Sequence, residues 1–322
     1  MSIQTFAHAF AAIRAEVNRV LLGQADVVEQ VLLAIFARGH VLIEGVPGLG
    51  KTLLVRALGR VLGCEFKRIQ FTPDLMPSDV TGGNVFDPKQ SAFVFNPGPV
   101  FTQLLLADEI NRAPAKTQSS LLEAMQDRSV TVDGVTRHLP APFFTIATQN
   151  PIESQGTYPL PEAQLDRFLM KINVGHPQRE VEKAILRNYV SGFDAADLDT
   201  IALRQIATHE QILAMQQFIK AVRADEAILE YITDLVSRTR AHRSIYLGAS
   251  PRASIALLTA GRARAASEGR EFLIPDDVKL LAPAILRHRV VLHPDAEIEG
   301  VSADDCVAQI LREAPVPRTA AS

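Results

Sequence analysis

Cysteine is scarce in this chain of 322 residues: Cys64 and Cys306 stand far apart with no second ligand set beside either, which excludes a disulfide framework and a zinc knuckle. Both thiols read as reduced and buried. An excess of charge is missing as well. The 33 Lys and Arg stand against 36 Asp and Glu, a formal net charge of -3, so no global attraction to nucleic acid or to an anionic membrane is built in. No stretch has the apolar length that a membrane span needs. The N-terminus, MSIQTFAHAFAAIRAEVNRVLL, has no basic leader and is broken by Arg14, Glu16 and Arg19. Internal repeats and low-complexity tracts are absent too. Together these absences point to a cytoplasmic globular protein whose partners are proteins or small molecules. Hydrophobic residues make up 47% of the chain, enough for a substantial core in one large domain or two of ordinary size.

From Val41 to about Val174, short apolar runs alternate with amphipathic stretches, the pattern of βα units around a largely parallel sheet. The five runs are VLIE at 41, FKRIQ at 66, LLLADE at 104, FFTIAT at 143 and FLMKINV at 168. Each is short and apolar, as a strand covered on both faces should be. Lys51 to Leu62 and Lys116 to Gln126 carry apolar residues at helical spacing. Two segments, near 84–95 and 129–139, read instead as hairpins; in the second, Val130 and Val132 alternate with polar residues before Asp133-Gly134, a pair suited to a type I′ turn.

After Pro177 the period becomes helical. Ile212, Met215, Ile219 and Val222 share one face, as do Ile228, Ile232, Leu235 and Val236. Ser250-Pro251 and Pro275-Asp276-Asp277 read as helix openings, and SGFDAADLDT from Ser191 as a linker. The chain thus divides into an α/β core over 1–195, a helical domain over 196–310 and a flexible tail over 311–322.

The strongest local signal is GVPGLGKT, Gly45 to Thr52, with a strand before it and a helix after it. Its glycines let backbone N–H groups turn inward around phosphates, and the helix N-terminus adds a favourable dipole. Lys51 can reach the terminal phosphates of ATP and Thr52 can ligate Mg2+. An ordinary strand-to-helix turn is the alternative, and the flanking elements disfavour it. LLLADE supplies the complement by delivering Asp108 and Glu109 to the carboxyl edge of the sheet, where α/β proteins bind ligands. Asp108 suits the magnesium; Glu109 suits orienting and deprotonating the attacking water. A solvated strand end would be the default for such a pair without the phosphate loop, and a nucleotide kinase would have no task for the second acid.

Three further residues have two readings each. Asn150, after FFTIAT, can hold the lytic water between Glu109 and the γ-phosphate, or merely start a turn before Pro151. Arg252 opens a helix and can reach across the cleft to the nucleotide; Arg167 precedes the last core strand. A solvated surface arginine is the alternative for both.

GVPGLGKT, LLLADEINRAPAKTQSSLLEAMQD, ATQNPIESQGTYPLPEAQLDRF and GASPRA together resemble the MoxR family of AAA+ ATPases, from about Val20 to Val291, with magnesium-chelatase ATPase subunits as near relatives. The resemblance implies a P-loop AAA+ core with a mostly parallel five-stranded sheet and an all-α lid. It implies that Gly45, Val46, Pro47, Gly48, Leu49, Gly50, Lys51 and Thr52 form Walker A and that Asp108 and Glu109 form Walker B. Asn150 is then sensor 1, Arg167 an arginine finger acting on a neighbour, and Arg252 sensor 2 acting from the lid. Leu22-Gly23-Gln24 resembles the segment that lines the adenine pocket, and the hairpins resemble insertions that face a ring's pore. A ring, usually hexameric, follows, with chaperone-like remodelling of protein complexes and a von Willebrand factor A domain partner.

Three rival readings remain. A magnesium-chelatase-like subunit would share the core. A nucleic-acid motor would want cations and aromatics at the hairpin tip, where Asp133-Gly134 stands, with Arg137 and His138 on the returning strand. A non-hydrolysing scaffold would need a damaged Glu109 or Arg167, and both are intact.

Overall fold

The computed structural model describes residues 1–46, 48–150, 156–194 and 202–317. Helices α1 (Ile3–Asn18) and α2 (Ala25–Phe36) lead into β1 (Val41–Gly45), α3 (Lys51–Leu62), β2 (Phe66–Gln70) and α4 (Pro77–Thr81). A hairpin of β3 (Gly82–Asp87) and β4 (Ala92–Pro97) precedes β5 (Leu104–Asp108) and α5 (Ala115–Asp127). A second hairpin, β6 (Ser129–Val132) and β7 (Val135–His138), precedes β8 (Phe144–Gln149), α6 (Glu162–Leu165), β9 (Met170–Val174) and α7 (Arg179–Val190). The remaining elements are α8 (His209–Phe218), α9 (Glu226–Ala241), β10 (Ile245–Leu247), α10 (Pro251–Ser267), α11 (Pro275–Leu286), β11 (Val291–Leu292), α12 (Pro294–Ile298) and α13 (Ala303–Glu313).

All five anticipated runs are strands of one five-stranded sheet, ordered β2-β5-β8-β1-β9 and parallel throughout. Alternation along the central strands splits their side chains between two apolar layers, while the edge strand β9 buries Met170, Ile172 and Val174 in one layer only. Val41, Ile43, Leu104 and Leu106 face α1, α2 and α3; Leu42, Leu105 and Ala107 face Leu121, Leu122 and Met125 of α5. This order brings the carboxyl ends of β1, β5 and β8 to one edge, and it sets Gln70 of β2 beside Asp108.

Both hairpins form where the alternation places them, and Asp133 (φ 50°) and Gly134 (φ 77°) supply the two positive angles of the predicted turn. They are joined to each other: the Asn84 amide donates to Asp133 Oδ2 (2.5 Å), and the Arg137 guanidinium lies 3.9 Å from the Phe95 ring centre. Val85, Phe86 and Phe93 of the first hairpin are exposed.

The predicted apolar faces of α8 and α9 are buried, and Ser250 Oγ caps α10 by accepting from the Arg252 N–H (3.2 Å). Cys64 and Cys306 are free and buried, and burial pushes the Cys64 thiol up to about 12. Among the described residues no helix is long and apolar enough to cross a membrane.

Three features differ from the sequence reading. The helical domain also holds a two-stranded antiparallel ribbon, β10 with β11, too short for a period to register. The tail expected from 311 starts as helix, because α13 continues through Glu313 and Ala314 is buried. The division at 195/196 does not separate two cores. One continuous apolar cluster runs from α1 and α2 into α8, α9, α10 and α11, with the Phe6 ring against Phe36 (5.4 Å) and Phe218 (6.0 Å). The linker expected from Ser191 lies partly outside the described residues, from Ala195 on.

Candidate functional site

The phosphate loop leaves β1 and enters α3 with Gly48 (φ 84°) and Gly50 (φ 74°) left-handed, angles that other residues adopt only with strain. Gly50 is the N-cap of α3, so the free N–H groups of that helix open toward the loop, and a Cβ at Gly48 would meet no atom within 4 Å. Val46, Leu49 and Thr52 complete the described part of the loop; Pro47 lies outside the described residues. Lys51 folds back to donate to Gly45 O (2.6 Å). Burial lowers the Lys51 pKa, opposed by the carboxylates of Asp108, Glu109 and Glu44, so its charge is held by the acids it faces.

On one side of the loop is a cavity of about 860 Å³, largely apolar, whose walls include Leu21, Gly23, Gln24, Val181, Ile185 and Asn188. Gln24 Nε2 donates to Leu49 O (2.8 Å), which ties this wall to the phosphate loop. Gly23 has φ 71°, and a Cβ there would stand 2.5 Å from Val181 Cγ1. The α7 wall went unread in the sequence. Its signal was the amphipathic spacing of Val181, Ile185 and Asn188, which turns one stripe inward and leaves Leu186, Tyr189 and Val190 exposed.

On the other side, a cavity of about 510 Å³ gathers Lys51, Thr52, Asp108, Glu109 and Asn150. It shares Gly48, Leu49, Gly50 and Leu53 with the larger cavity, so the two adjoin at the phosphate loop. Asp108 accepts from Thr148 Oγ1 (2.6 Å) and from Arg68 Nη2 (2.6 Å). Glu109 accepts from Gln70 Nε2 (2.8 Å), pairs with Arg112 Nε (3.1 Å) and takes a left-handed backbone (φ 56°, ψ 50°). That conformation costs about 1–3 kcal/mol in a non-glycine residue. It is held by the Glu109 N–H bond to Thr148 Oγ1 (2.9 Å) and turns the carboxylate out of the strand line. Arg68, Gln70 and Thr148 are functional neighbours that sequence reasoning passed over; their signal was polarity at the carboxyl ends of β2 and β8.

The donor set fits a small hard cation. Magnesium takes one or two protein oxygens and completes its shell with phosphate and water, and Thr52 and Asp108 offer that set. Among the described residues no group of three or more His, Cys, Asp and Glu could hold a metal ion.

Arg167 and Arg252 come together, but away from the phosphate loop. Both line a third cavity, of about 450 Å³, which has no lining residue in common with the other two. Arg252 therefore does not line the phosphate-loop cavities of its own chain. The physical reason is the docking of α10: its body packs on α1, α2 and α11, and Ser250 Oγ at its start donates to Asp166 Oδ2 (3.1 Å). Asp166 also accepts from Arg289 Nε (2.8 Å), while Arg167 Nη1 donates to Leu122 O (2.9 Å). Arg289 is buried, and its guanidinium also donates to the carbonyls of Phe168 (2.6 Å) and Leu169 (3.1 Å).

The chain also matches known proteins over most of its length. Residues 40–170 match the family "ATPase family associated with various cellular activities (AAA)", and residues 237–310 match "AAA lid domain". The chain is 49% identical to the uncharacterized protein YeaC of Bacillus subtilis, over 94% of this chain and 92% of that one. It is 43% identical to chaperone MoxR1 of Mycobacterium tuberculosis, over 94% of this chain and 81% of that one. A crystal structure of a candidate ATPase from Cytophaga hutchinsonii superimposes with a TM-score of 0.90 at 38% identity, covering 98% of this chain and 97% of that one.

Proposed function

This chain belongs to the MoxR family of AAA+ ATPases and hydrolyses ATP, and from that premise we propose that its catalytic site is completed only between neighbouring copies in a ring, most simply a hexamer. The observation that carries the proposal is the separation of the Arg167–Arg252 cavity from the phosphate-loop cavities of the same chain. A pair of guanidinium groups set on a face of their own serves a nucleotide presented by another subunit. Arg167 is then the finger and Arg252 the second sensor, both meeting the charge that develops as the γ-phosphate leaves.

Within one chain, Gly23 and Gln24 border the compartment for the base, and the loop from Gly45 to Thr52 and Lys51 hold the phosphates. Thr52 and Asp108 would hold Mg2+, which when bound neutralises the phosphate oxygens. Glu109 accepts the proton of the attacking water, and Asn150 positions that water. Hydrolysis changes how adjacent subunits pack, and the linked hairpins carry the motion to a protein client. By likeness to the relative named as a chaperone, the role is remodelling or maturation of protein complexes; the family resemblance of the sequence motifs adds a cytoplasmic setting and a von Willebrand factor A domain adaptor to this reading. The cation at the second hairpin, Arg137, is occupied by Phe95, which weighs against a nucleic-acid grip.

The test is steady-state ATPase rate per subunit against protein concentration for wild type and Arg167→Ala. A wild-type rate that climbs cooperatively, with a variant lower by roughly a thousandfold, is the expected outcome. Equal and concentration-independent rates would remove the interface mechanism.

A further inference from the structure

The cleft that holds Arg167 and Arg252 is more cationic than those two residues make it. Its walls carry five guanidinium groups, from Arg38, Arg128, Arg167, Arg252 and Arg289, against one carboxylate, Asp166, which Arg289 already takes. Among the described residues no carboxylate pairs with the other four arginines.

Arg38 and Arg128 are also unusual in their backbone. Each closes a helix, Arg38 just beyond α2 and Arg128 at the end of α5, and each is left-handed, with φ 58° and 51°. Helix ends of this kind favour glycine, because a Cβ in the left-handed region is strained. Four of the five non-glycine residues described with positive φ fall into two groups: Ser91 and Asp133 sit in hairpin turns, and Arg38 and Arg128 face this cleft. The fifth is Glu109.

A purely structural account would have the two arginines complement helix C-terminal dipoles. It covers Arg128 in part, since its Nη2 donates to Arg38 O (3.0 Å). It does not cover the Arg38 guanidinium, which has no hydrogen bond among the described residues. Nor does it explain why the two charges are placed to oppose each other: burial and the Arg38 charge together lower the Arg128 pKa. An anion between them would turn that repulsion into attraction.

We infer that Arg38 and Arg128 form, with Arg167 and Arg252, a single receptor for a phosphate chain, and that this chain belongs to the nucleotide held by a neighbouring copy. The inference rests on the interface reading above and adds two residues to it. Bidentate guanidinium groups suit phosphate, and four around one cleft can follow a di- or triphosphate as its charge is redistributed.

Glycine is the informative replacement, because it removes the guanidinium and leaves the backbone in the conformation it prefers. In the double variant Arg38→Gly/Arg128→Gly, the unfolding temperature should stay level or rise, nucleotide affinity of the dilute chain should hold, and the ATPase rate per subunit at ring-forming concentration should fall by at least about tenfold. Mixing it with Lys51→Ala should restore activity, since interfaces then pair an intact phosphate loop with an intact cleft.

A wild-type rate in the double variant, with Arg167→Ala slow in parallel, would overturn this inference and leave the interface mechanism standing. A wild-type rate in Arg167→Ala would instead remove the mechanism itself. A drop in unfolding temperature matching the loss of rate would assign both arginines to helix capping. Failure to recover in mixed rings shown to have formed would mean that the cleft does not serve a neighbour.

Discussion

Replacing Asp166 by alanine should lower the unfolding temperature and the ATPase rate together, because one carboxylate anchors both the fold and the arginine pair. The Arg289 side chain is only 3% exposed, and Asp166 is the sole acid that pairs with it among the described residues. Deleting one partner of a buried ion pair costs about 3–5 kcal/mol, since the other charge stays buried. Here Arg289 keeps its bonds to the carbonyls of Phe168 and Leu169, so the lower end, about 3 kcal/mol, applies. Ser250 Oγ loses its acceptor as well, a further loss of about 1 kcal/mol. In a chain of this size, each kcal/mol moves the unfolding midpoint by roughly 2 °C, which predicts a fall of roughly 8 °C.

Calorimetry and steady-state hydrolysis on the same preparation would measure both effects. The double variant Asp166→Ala/Arg289→Met separates them: removing both charges in favour of apolar volume should recover most of the stability. Hydrolysis should stay slow, because the start of α10 is no longer tied to the turn that carries Arg167. An unchanged midpoint in Asp166→Ala would refute the energetic argument, and a wild-type rate in the double variant would refute the positioning one.

Two other perturbations probe different parts of the molecule. His40 is buried, donates from Nε2 to Met125 O (3.0 Å) and accepts the Thr145 N–H at Nδ1 (3.0 Å), and burial holds its pKa down to about 4 from an ordinary 6.5. Between those values the unfolded chain binds a proton that the folded chain refuses, so stability should fall by about 3 kcal/mol from pH 6.5 to pH 4. Buried His288 acts in the same direction, and a urea midpoint that stays flat across that window would contradict both. Gly23→Ala should weaken ATP binding by pushing Val181 and α7 away from the base compartment, and Val181→Ala in the same chain should restore part of the affinity. Equal affinities by titration calorimetry in wild type and Gly23→Ala would place the base elsewhere.

The sheet was legible because its central strands are covered on both faces, so a short apolar run bounded by turns carries its own assignment; Leu104 to Ala107 is the clearest case, whereas the edge strand β2 leaves Arg68 and Gln70 exposed. The phosphate loop was legible because its glycines, lysine and threonine sit at fixed spacing in one continuous stretch. The location of Arg252 was not. It depends on where α10 docks, which is settled by contacts from residues far away in sequence, such as Ser250 to Asp166. Arg68 and Gln70 escaped for a related reason: nothing local says that β2 lies beside β5. The β10–β11 ribbon has one strand of three residues and one of two, below the length at which alternation can be read.

The apolar cluster that spans core and lid constrains how ATP turnover can do work. Opening a hinge between the two would strip Phe6 from Phe36 and Phe218. It would also break the bonds from Gln216 Nε2 to Ile35 O (2.7 Å) and from Arg204 Nη2 to Glu16 Oε2 (2.9 Å). Re-exposing one such phenylalanine costs about 2–3 kcal/mol, and several neighbours would be exposed with it. A nucleotide differentiates two states only by its differential contacts with them, and the two cavities proposed to hold it share no lining residue with the arginine cleft of the same chain. In the proposed ring, the cheaper degree of freedom is the junction between subunits, where phosphate on one side meets guanidinium on the other. Each chain then moves largely as one body. The two hairpins follow it as a pair, because Asn84–Asp133 and Arg137–Phe95 bind them to each other.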